Sequence, residues 1–385
     1  MIASLFLIPF GTNVGYAISA LESLFFAAGV ELADGDASAV HFAYQGFQKG
    51  HPQSLPSSFS NLVELNYSTA LPRAAMQANI RRAADYVRKH KISFVMFFDI
   101  QPVHPIFLPL RRAGATSIVS YWGAPMSSLM PGWKLALKSL EVALSRSRLD
   151  GLIFESRAMA QTATKGRGVP EHMIDIVPLG IDVDLYKPGP SDYVYQALSF
   201  PPDRRVVIYS GHMERRKGVH VLVEAAIELL VSRKREDVCF LLCGNKDSES
   251  EEYERLYKGM GIETFIKFGG YRADLRDIYP SCFCGVIPSS GWDSFPRTSL
   301  EMAAAGLPVI GSRLGGLPEA IVDGRTGLLF EPGDPRQLAD RIETLLENPD
   351  LALQFGRAGR ERCVSELNLN VQYRRLSAAF RRHIR

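Results

Sequence analysis

The chain has 385 residues, which at the usual domain size asks for two or three domains, and its 46% hydrophobic and 22% charged residues exclude disorder, collagen and coiled coil. Forty-four basic against 41 acidic side chains leave a net charge of +3, without the clustered basic excess expected of a nucleic-acid binder. Five cysteines (Cys239, Cys243, Cys282, Cys284, Cys363) are an odd set in a chain large enough to build its own core, which points to reduced thiols and a cytoplasmic protein. Cys282 and Cys284 are two apart and read as core residues on one face of a strand, and no Cys/His pair has zinc-ligand spacing.

In chain order, the apolar start MIASLFLIPF is cut by Pro9 and Gly11 short of the ~20 residues of a membrane span, and it lacks a basic leader. It reads as a buried first strand. A helix from Tyr16 to Gly29, the strand AVHFAY, a helix from Arg73 to Lys91, and the strands ISFVMFF, TSIVSYW and LDGLIFES complete one α/β layer ending near Asp175. The stretch DIVPLGIDVDLYKPGPSDY has neither helical nor strand period and serves as the linker. A second series follows: RRVVIYSG, the helix VHVLVEAAIELLV, CFLLCG, the helix EEYERLYKGM, FIKFGG, the helix DLRDIY, FCGVIPSS, a helix at TSLEMAAAG, PVIGS, GLLFE and helices from Pro335 onward. Short apolar runs alternating with amphipathic stretches predict parallel sheets covered on both faces, with ligands at the carboxyl ends of the strands.

Two loops at that end of the second series carry the chemistry. After the strand ending at Pro288, a loop with Gly291, Asp293, Ser294 and Pro296 leads into a helix near Thr298, whose free amides and dipole suit an anion such as a diphosphate. Asp293 and Glu301 lie eight apart, as carboxylates placed to accept hydrogen bonds from sugar or ribose hydroxyls. Thr298-Ser299-Leu300-Glu301 equally fits a capping box, with Glu301 bonding back to its own helix terminus. The other loop, after Gly211, places His212, Arg215, Arg216 and Lys217 just before a helix, so that cations face the same sheet end.

With both loops in view, the sequence resembles the retaining, nucleotide-sugar-dependent glycosyltransferases of the group 1 (family 4) type. The resemblance is carried by DSFPRTSLEMAAAGLPVIG, through Phe295, Pro296, Leu300, Glu301, Met302, Ala303, Gly306, Pro308 and Val309, and extends over Gly315 to Asp334 and over VPLGIDVDLYKP. It covers about Asp150 to Leu353 and implies a GT-B fold: two doubly wound Rossmann-like domains facing across a cleft. The implied layout is an acceptor domain over 1–180, a donor domain over 181–365 and a C-terminal helix over 366–385 that crosses back to the first domain. By the same resemblance Glu301 holds the ribose hydroxyls, Asp293 stands where the family's first Glu meets the donor sugar, and Lys217, with Arg216, offsets the diphosphate. Gly211 and Gly244 lie at strand ends of the nucleotide pocket, Tyr271 and Arg272 meet the base, and Ser294, Phe295, Pro296, Arg297 and Thr298 form the phosphate loop.

Departures stand beside the matches. His212 replaces the family's diphosphate arginine, Asp293 is one methylene shorter than Glu, and Arg297 replaces an aliphatic residue. In the first half, Gly11 and Gly15 resemble the family's glycine-rich donor loop or make a tight strand-to-helix turn. His104 stands either near the reacting centre or as a satisfied loop histidine, and Trp122 occupies a position where a histidine is common. The implied activity is transfer of a hexose-type sugar from a UDP-sugar, ahead of a GDP-sugar, to a glycan, lipid-linked or small-molecule acceptor. It needs no metal and no cofactor beyond the donor, because no D-x-D element flanks a diphosphate loop. The alternatives are a non-catalytic nucleotide-sugar binder or partner subunit, and an oxidoreductase, which the missing G-x-G-x-x-G disfavours. The basic amphipathic stretch Pro131 to Arg148 suits either a solvated face or an anionic membrane surface, as in polysaccharide assembly on a cytoplasmic leaflet.

Overall fold

A computed structural model describes residues 2–67 and 72–384. The chain divides into two compact units, Met1–Pro178 with Gln372–Arg385, and Leu179–Val371. In the first unit a seven-stranded sheet contains β1 (Ser4–Leu7), β2 (Val40–Tyr44), β3 (Leu62–Glu64), β4 (Phe94–Phe98), β5 (Ser117–Trp122), β6 (Gly151–Phe154) and β7 (Ile174–Ile176), in the order β3-β2-β1-β4-β5-β6-β7. Every recorded pairing is parallel. Strands β1, β2, β4, β5 and β6 are buried along their whole length, the consequence of near-continuous apolar runs covered by helices on both faces.

The last helix, Leu369–His383, returns to this sheet. Phe380 packs its ring 5.0 Å from Phe94 and 6.1 Å from Phe6, and the carbonyl of His383 accepts a 2.6 Å hydrogen bond from Ser117 Oγ. The His383 ring lies 2.7 Å from Asp175. Burying Phe380 fully is worth about 2–3 kcal/mol, enough to hold a terminal segment that would otherwise fray.

The second unit repeats the plan with β8 (Arg205–Ser210), β9 (Val238–Cys243), β10 (Ile266–Gly270), β11 (Cys284–Ile287), β12 (Val309–Ser312) and β13 (Gly327–Phe330), in the order β10-β9-β8-β11-β12-β13. In both sheets the first strand is central, and the chain builds outward on one side before crossing to the other. Each sheet therefore has a topological switch point, between β1 and β4 and between β8 and β11, where loops leave in opposite directions and open a crevice.

Several expectations are corrected. Asp175 and Ile176 belong to strand β7 rather than to a linker, because Ile174–Ile176 pairs with β6. EEYERLYKGM is helical only over Glu251–Glu254; beyond it the amides of Leu256 and Tyr257 bond three residues back, and Gly259 turns with φ 80°, so the helix tightens and stops. Strand β11 starts at Cys284, leaving Cys282 in the preceding turn with its thiol on the Ile278 carbonyl. All five thiols are free, and burial pushes Cys243, Cys284 and Cys363 up to about 12, which makes them inert core residues. Among the described residues no helix is long and apolar enough to cross a membrane.

Candidate active site

The two loops singled out by sequence leave β8 and β11 at the switch point of the second sheet. Gly218, at the end of the β8 loop, has φ 73°, and a Cβ there would sit 1.8 Å from the carbonyl oxygen of Pro288 on the β11 loop. Only glycine allows this approach. The amides of Ser290 and Gly291 then donate to the carbonyl of Arg216 at 2.8 and 3.0 Å, which clamps the loops together.

This clamp brings Lys217 and Asp293 into contact across 76 residues of sequence. Lys217 Nζ donates to Asp293 Oδ2 at 2.8 Å, and Ser289 Oγ donates to the same oxygen at 2.7 Å. Asp293 is 5% exposed, and Gly316 N donates to its carbonyl oxygen, so backbone and side chain are both fixed. Arg216 has a different role from the one expected. Its guanidinium is held by Glu214 at 2.6 Å, by the Trp292 carbonyl at 3.2 Å and by the Trp292 ring at 4.2 Å. It acts as a brace on the loop that carries Asp293. His212 is exposed, and its carbonyl accepts the Tyr209 hydroxyl at 2.6 Å.

The helix after the β11 loop runs Arg297–Ala304, with Pro296 as its N-cap residue and no side-chain cap. The capping-box reading is thereby overturned. Ser299 Oγ donates to the Pro296 carbonyl, and Glu301 points away from the helix terminus toward Tyr279, whose hydroxyl lies 3.2 Å from its Oε2. Tyr279 in turn meets Ser210 Oγ, at the end of β8, at 2.6 Å. Burial pushes the Glu301 carboxyl up, opposed by the charge of Arg297 and the hydroxyls of Tyr279 and Tyr186. A 4%-exposed carboxylate with two hydroxyl partners is held for a purpose beyond local capping. Ser294 Oγ is buried without a hydrogen-bond partner among the described residues, beside a helix start whose first amides lack intrahelical acceptors. Phe295 and Pro296 are buried behind it, and Thr298 is half-buried.

The remaining expected residues separate into groups. Gly211 and Gly244 meet at the ends of β8 and β9, where a Cβ on Gly244, with φ 116°, would come within 2.0 Å of the Gly211 carbonyl oxygen. Tyr271 is 75% exposed after β10, while Arg272 is tied to Asp274 by two hydrogen bonds, so its guanidinium is committed locally. Gly11, Gly15 and His104 lie in the first unit. Gly11 bridges Gly46, Gly15 precedes the helix Tyr16–Leu32, and His104 is buried with Nδ1 accepting the Ile106 amide at 3.2 Å. Burial lowers the His104 imidazole to about 4, so it is neutral. Sequence reasoning missed Tyr279, Ser289 and Trp292; Tyr279 lay inside a stretch read only as helix.

Residues 204–348 match the family model described as Glycosyl transferases group 1. This match lies within the second unit and is a similarity of that unit to the group 1 glycosyltransferases. A D-inositol 3-phosphate glycosyltransferase of Corynebacterium efficiens is 32% identical over 191 residues, covering 48% of this chain and 45% of that protein. One from Corynebacterium diphtheriae is 32% identical over 200 residues, covering 50% and 46%. The match spans a little under half the length of these curated relatives. Among solved structures, a glycosyltransferase from Rickettsia africae superposes with a TM-score of 0.82 at 17% identity, covering 100% of this chain and 99% of that one. Anabaena HepE in complex with UDP superposes at 0.76 with 18% identity, covering 99% and 100%. The fold is GT-B, and the matched segment holds the β8 and β11 loops that pair Lys217 with Asp293 and the helix that carries Glu301.

Proposed function

We propose that the protein transfers a sugar from a nucleoside-diphosphate donor, a UDP-sugar ahead of a GDP-sugar, to a hydroxyl acceptor with retention of configuration and without a metal ion. The observation that carries this is the meeting of Lys217, Asp293, the start of helix Arg297–Ala304 and buried Glu301 at one switch point. Glu301 would accept two ribose hydroxyls, and Ser294 Oγ with the amides of Arg297 and Thr298 would receive the distal phosphate. Lys217 would exchange Asp293 for the diphosphate, freeing the Asp293 carboxylate to accept sugar hydroxyls. The anomeric carbon–oxygen bond to phosphate then breaks, the acceptor oxygen bonds to the same face, and its proton leaves with the phosphate. Preorganised cations and amides provide the stabilisation of the leaving charge. The HepE structures with UDP, and with UDP-glucose, support a uridine donor, and the relatives named for D-inositol 3-phosphate support a polyol phosphate among the acceptors to be tried.

Helix Gly132–Leu144 supports an anionic membrane surface as a partner: Trp133, Leu137, Leu140 and Leu144 are each more than half exposed, and Lys134 and Lys138 accompany them. Together with the reduced cysteines this favours a cytoplasmic, peripherally bound protein.

The test is a screen of UDP- and GDP-sugars for protein-dependent release of free nucleotide, repeated with E301A and K217A. Release that both substitutions abolish is the expected result. Nucleotide-sugar binding without release from any donor, the outcome the closed Lys217–Asp293 pair would give in a non-catalytic homologue, would overturn the transferase reading. Nicotinamide binding would replace it with an oxidoreductase.

A further inference from the structure

The first sheet has its own switch point, between β1 and β4, and one side chain there is held in an unusual way. Asp99, the residue after β4, has φ 53°, a left-handed conformation that L residues other than Asn and Asp seldom adopt. The surrounding chain fixes it: Asp99 N donates to the Tyr121 carbonyl at 2.8 Å, Ile100 N to Ser120 Oγ at 3.2 Å, and the Tyr67 hydroxyl to the Phe98 carbonyl at 2.8 Å. The effect is to turn the Asp99 side chain so that Oδ1 accepts the Gly123 amide at 3.1 Å, while Oδ2 has no partner among the described residues. Burial raises the carboxyl to about 7, so at neutral pH it can either accept or donate a hydrogen bond.

Around it the structure collects the other elements of a carbohydrate site. Phe10, at the end of the β1 segment, is 37% exposed and stands edge-on to Phe98 with ring centroids 6.1 Å apart, an apolar face at the crevice. The Tyr121 hydroxyl donates to the carboxylate of Glu155 at 3.2 Å, at the end of the neighbouring strand β6. A carboxylate with a spare lone pair and an aromatic face suit a ring-shaped polyol, which offers hydroxyls at its edge and C–H bonds on its face.

Given the transferase reading above, we propose that Asp99 binds an acceptor hydroxyl, at a site for a polyol or sugar ring formed with Phe10 at the β1–β4 switch point. The test is binding to the full chain with UDP present, using myo-inositol, D-glucose and D-inositol 3-phosphate as probes, for wild type and D99N. Asparagine tolerates the left-handed backbone and keeps the bond from Gly123, so only the carboxylate is lost. The expected result is that at least one probe binds wild type and weakens about tenfold or more in D99N, as for loss of a hydrogen bond to a charged group, while UDP affinity and the melting temperature stay as in wild type. Equal probe binding by both proteins, or no probe binding to wild type, would overturn it. A fall in UDP affinity and melting temperature together would assign Asp99 a structural role instead. The donor-release screen leaves Asp99 unaltered, so failure of the transferase reading appears there and failure of the Asp99 site appears in probe affinity.

Discussion

Replacing Lys217 by methionine keeps the unbranched stem of the side chain, one atom shorter, and removes its charge. The carboxylate of Asp293, 7% exposed at its side chain, would then retain only the Ser289 hydroxyl. Removing one partner of a buried ion pair costs about 3–5 kcal/mol, and because the Lys217 side chain is 18% exposed the lower end, about 3 kcal/mol, applies. D293N should be milder, about 1 kcal/mol, since its amide oxygen still accepts from Ser289 or Lys217 and the stranded ammonium can reach water. In the double variant no buried charge is left unpaired, so it should resemble D293N, with a coupling energy of about 3 kcal/mol. Hydrogen exchange read at β8 and β11 reports opening of this unit without interference from the other. A loss of 3 kcal/mol corresponds to roughly 100-fold faster exchange there for K217M, and the double variant should be markedly slower than K217M. Exchange at the wild-type rate in K217M, or a double variant as fast as K217M, would refute the view that the pair is the electrostatic keystone of the ligand-free site.

Gly218→Ala should lose more than about 3 kcal/mol of stability, since its Cβ would meet the Pro288 carbonyl, whereas Gly259→Ala, with φ 80° and open space, should lose only about 1 kcal/mol; similar melting temperatures for the two would sink the clamp. His104, neutral with its imidazole lowered to about 4 against 6.5 when unfolded, makes the unfolded chain bind more protons between those values, so its own contribution to stability falls by about 3 kcal/mol as pH falls from 6.5 to 4, opposite in sign to that of Asp99; the urea-unfolding free energy of wild type relative to H104N should fall by about that amount across the range, and a constant difference would refute it. On the exposed helix face, L137D/L140D should cut sedimentation with anionic liposomes at least tenfold, given about 1.5–3 kcal/mol per buried leucine; wild type that fails to sediment at low salt would remove the membrane from consideration. Turnover should survive EDTA, and activity lost to chelator and restored by a divalent ion would refute catalysis by protein cations alone.

The strands that run in all-apolar blocks, such as Phe94–Phe98 and Val238–Cys243, were legible because burial on both faces leaves no polar position to blur them. Strands β3 and β7, each three residues long and only partly buried, carry too little pattern to separate from a linker; their existence depends on neighbours β2 and β6 offering an edge. The terminal helix was legible as a helix. What fastens it, Phe380 on Phe94 and His383 on Ser117 and Asp175, involves separations of more than 200 residues that no local window contains.

At the site, sequence could name Lys217, Asp293 and Glu301 because their motif fixes residue type and spacing, but roles set by three-dimensional competition were invisible. Arg216 and Lys217 are adjacent cations in one loop. Arg216 is taken by Glu214 and the Trp292 ring, and Lys217 reaches Asp293, a difference decided by which way a short 3₁₀ turn, Arg215–Lys217, directs each side chain. Glu301 likewise satisfied a capping pattern by spacing, yet the proline before the helix moved the helix start, and the hydroxyl of Tyr279 offered a buried partner from another strand connection. Where two local rules both fit a residue, the outcome followed the partner that would otherwise stay buried and unsatisfied, and that partner is known only once the sheet order is known.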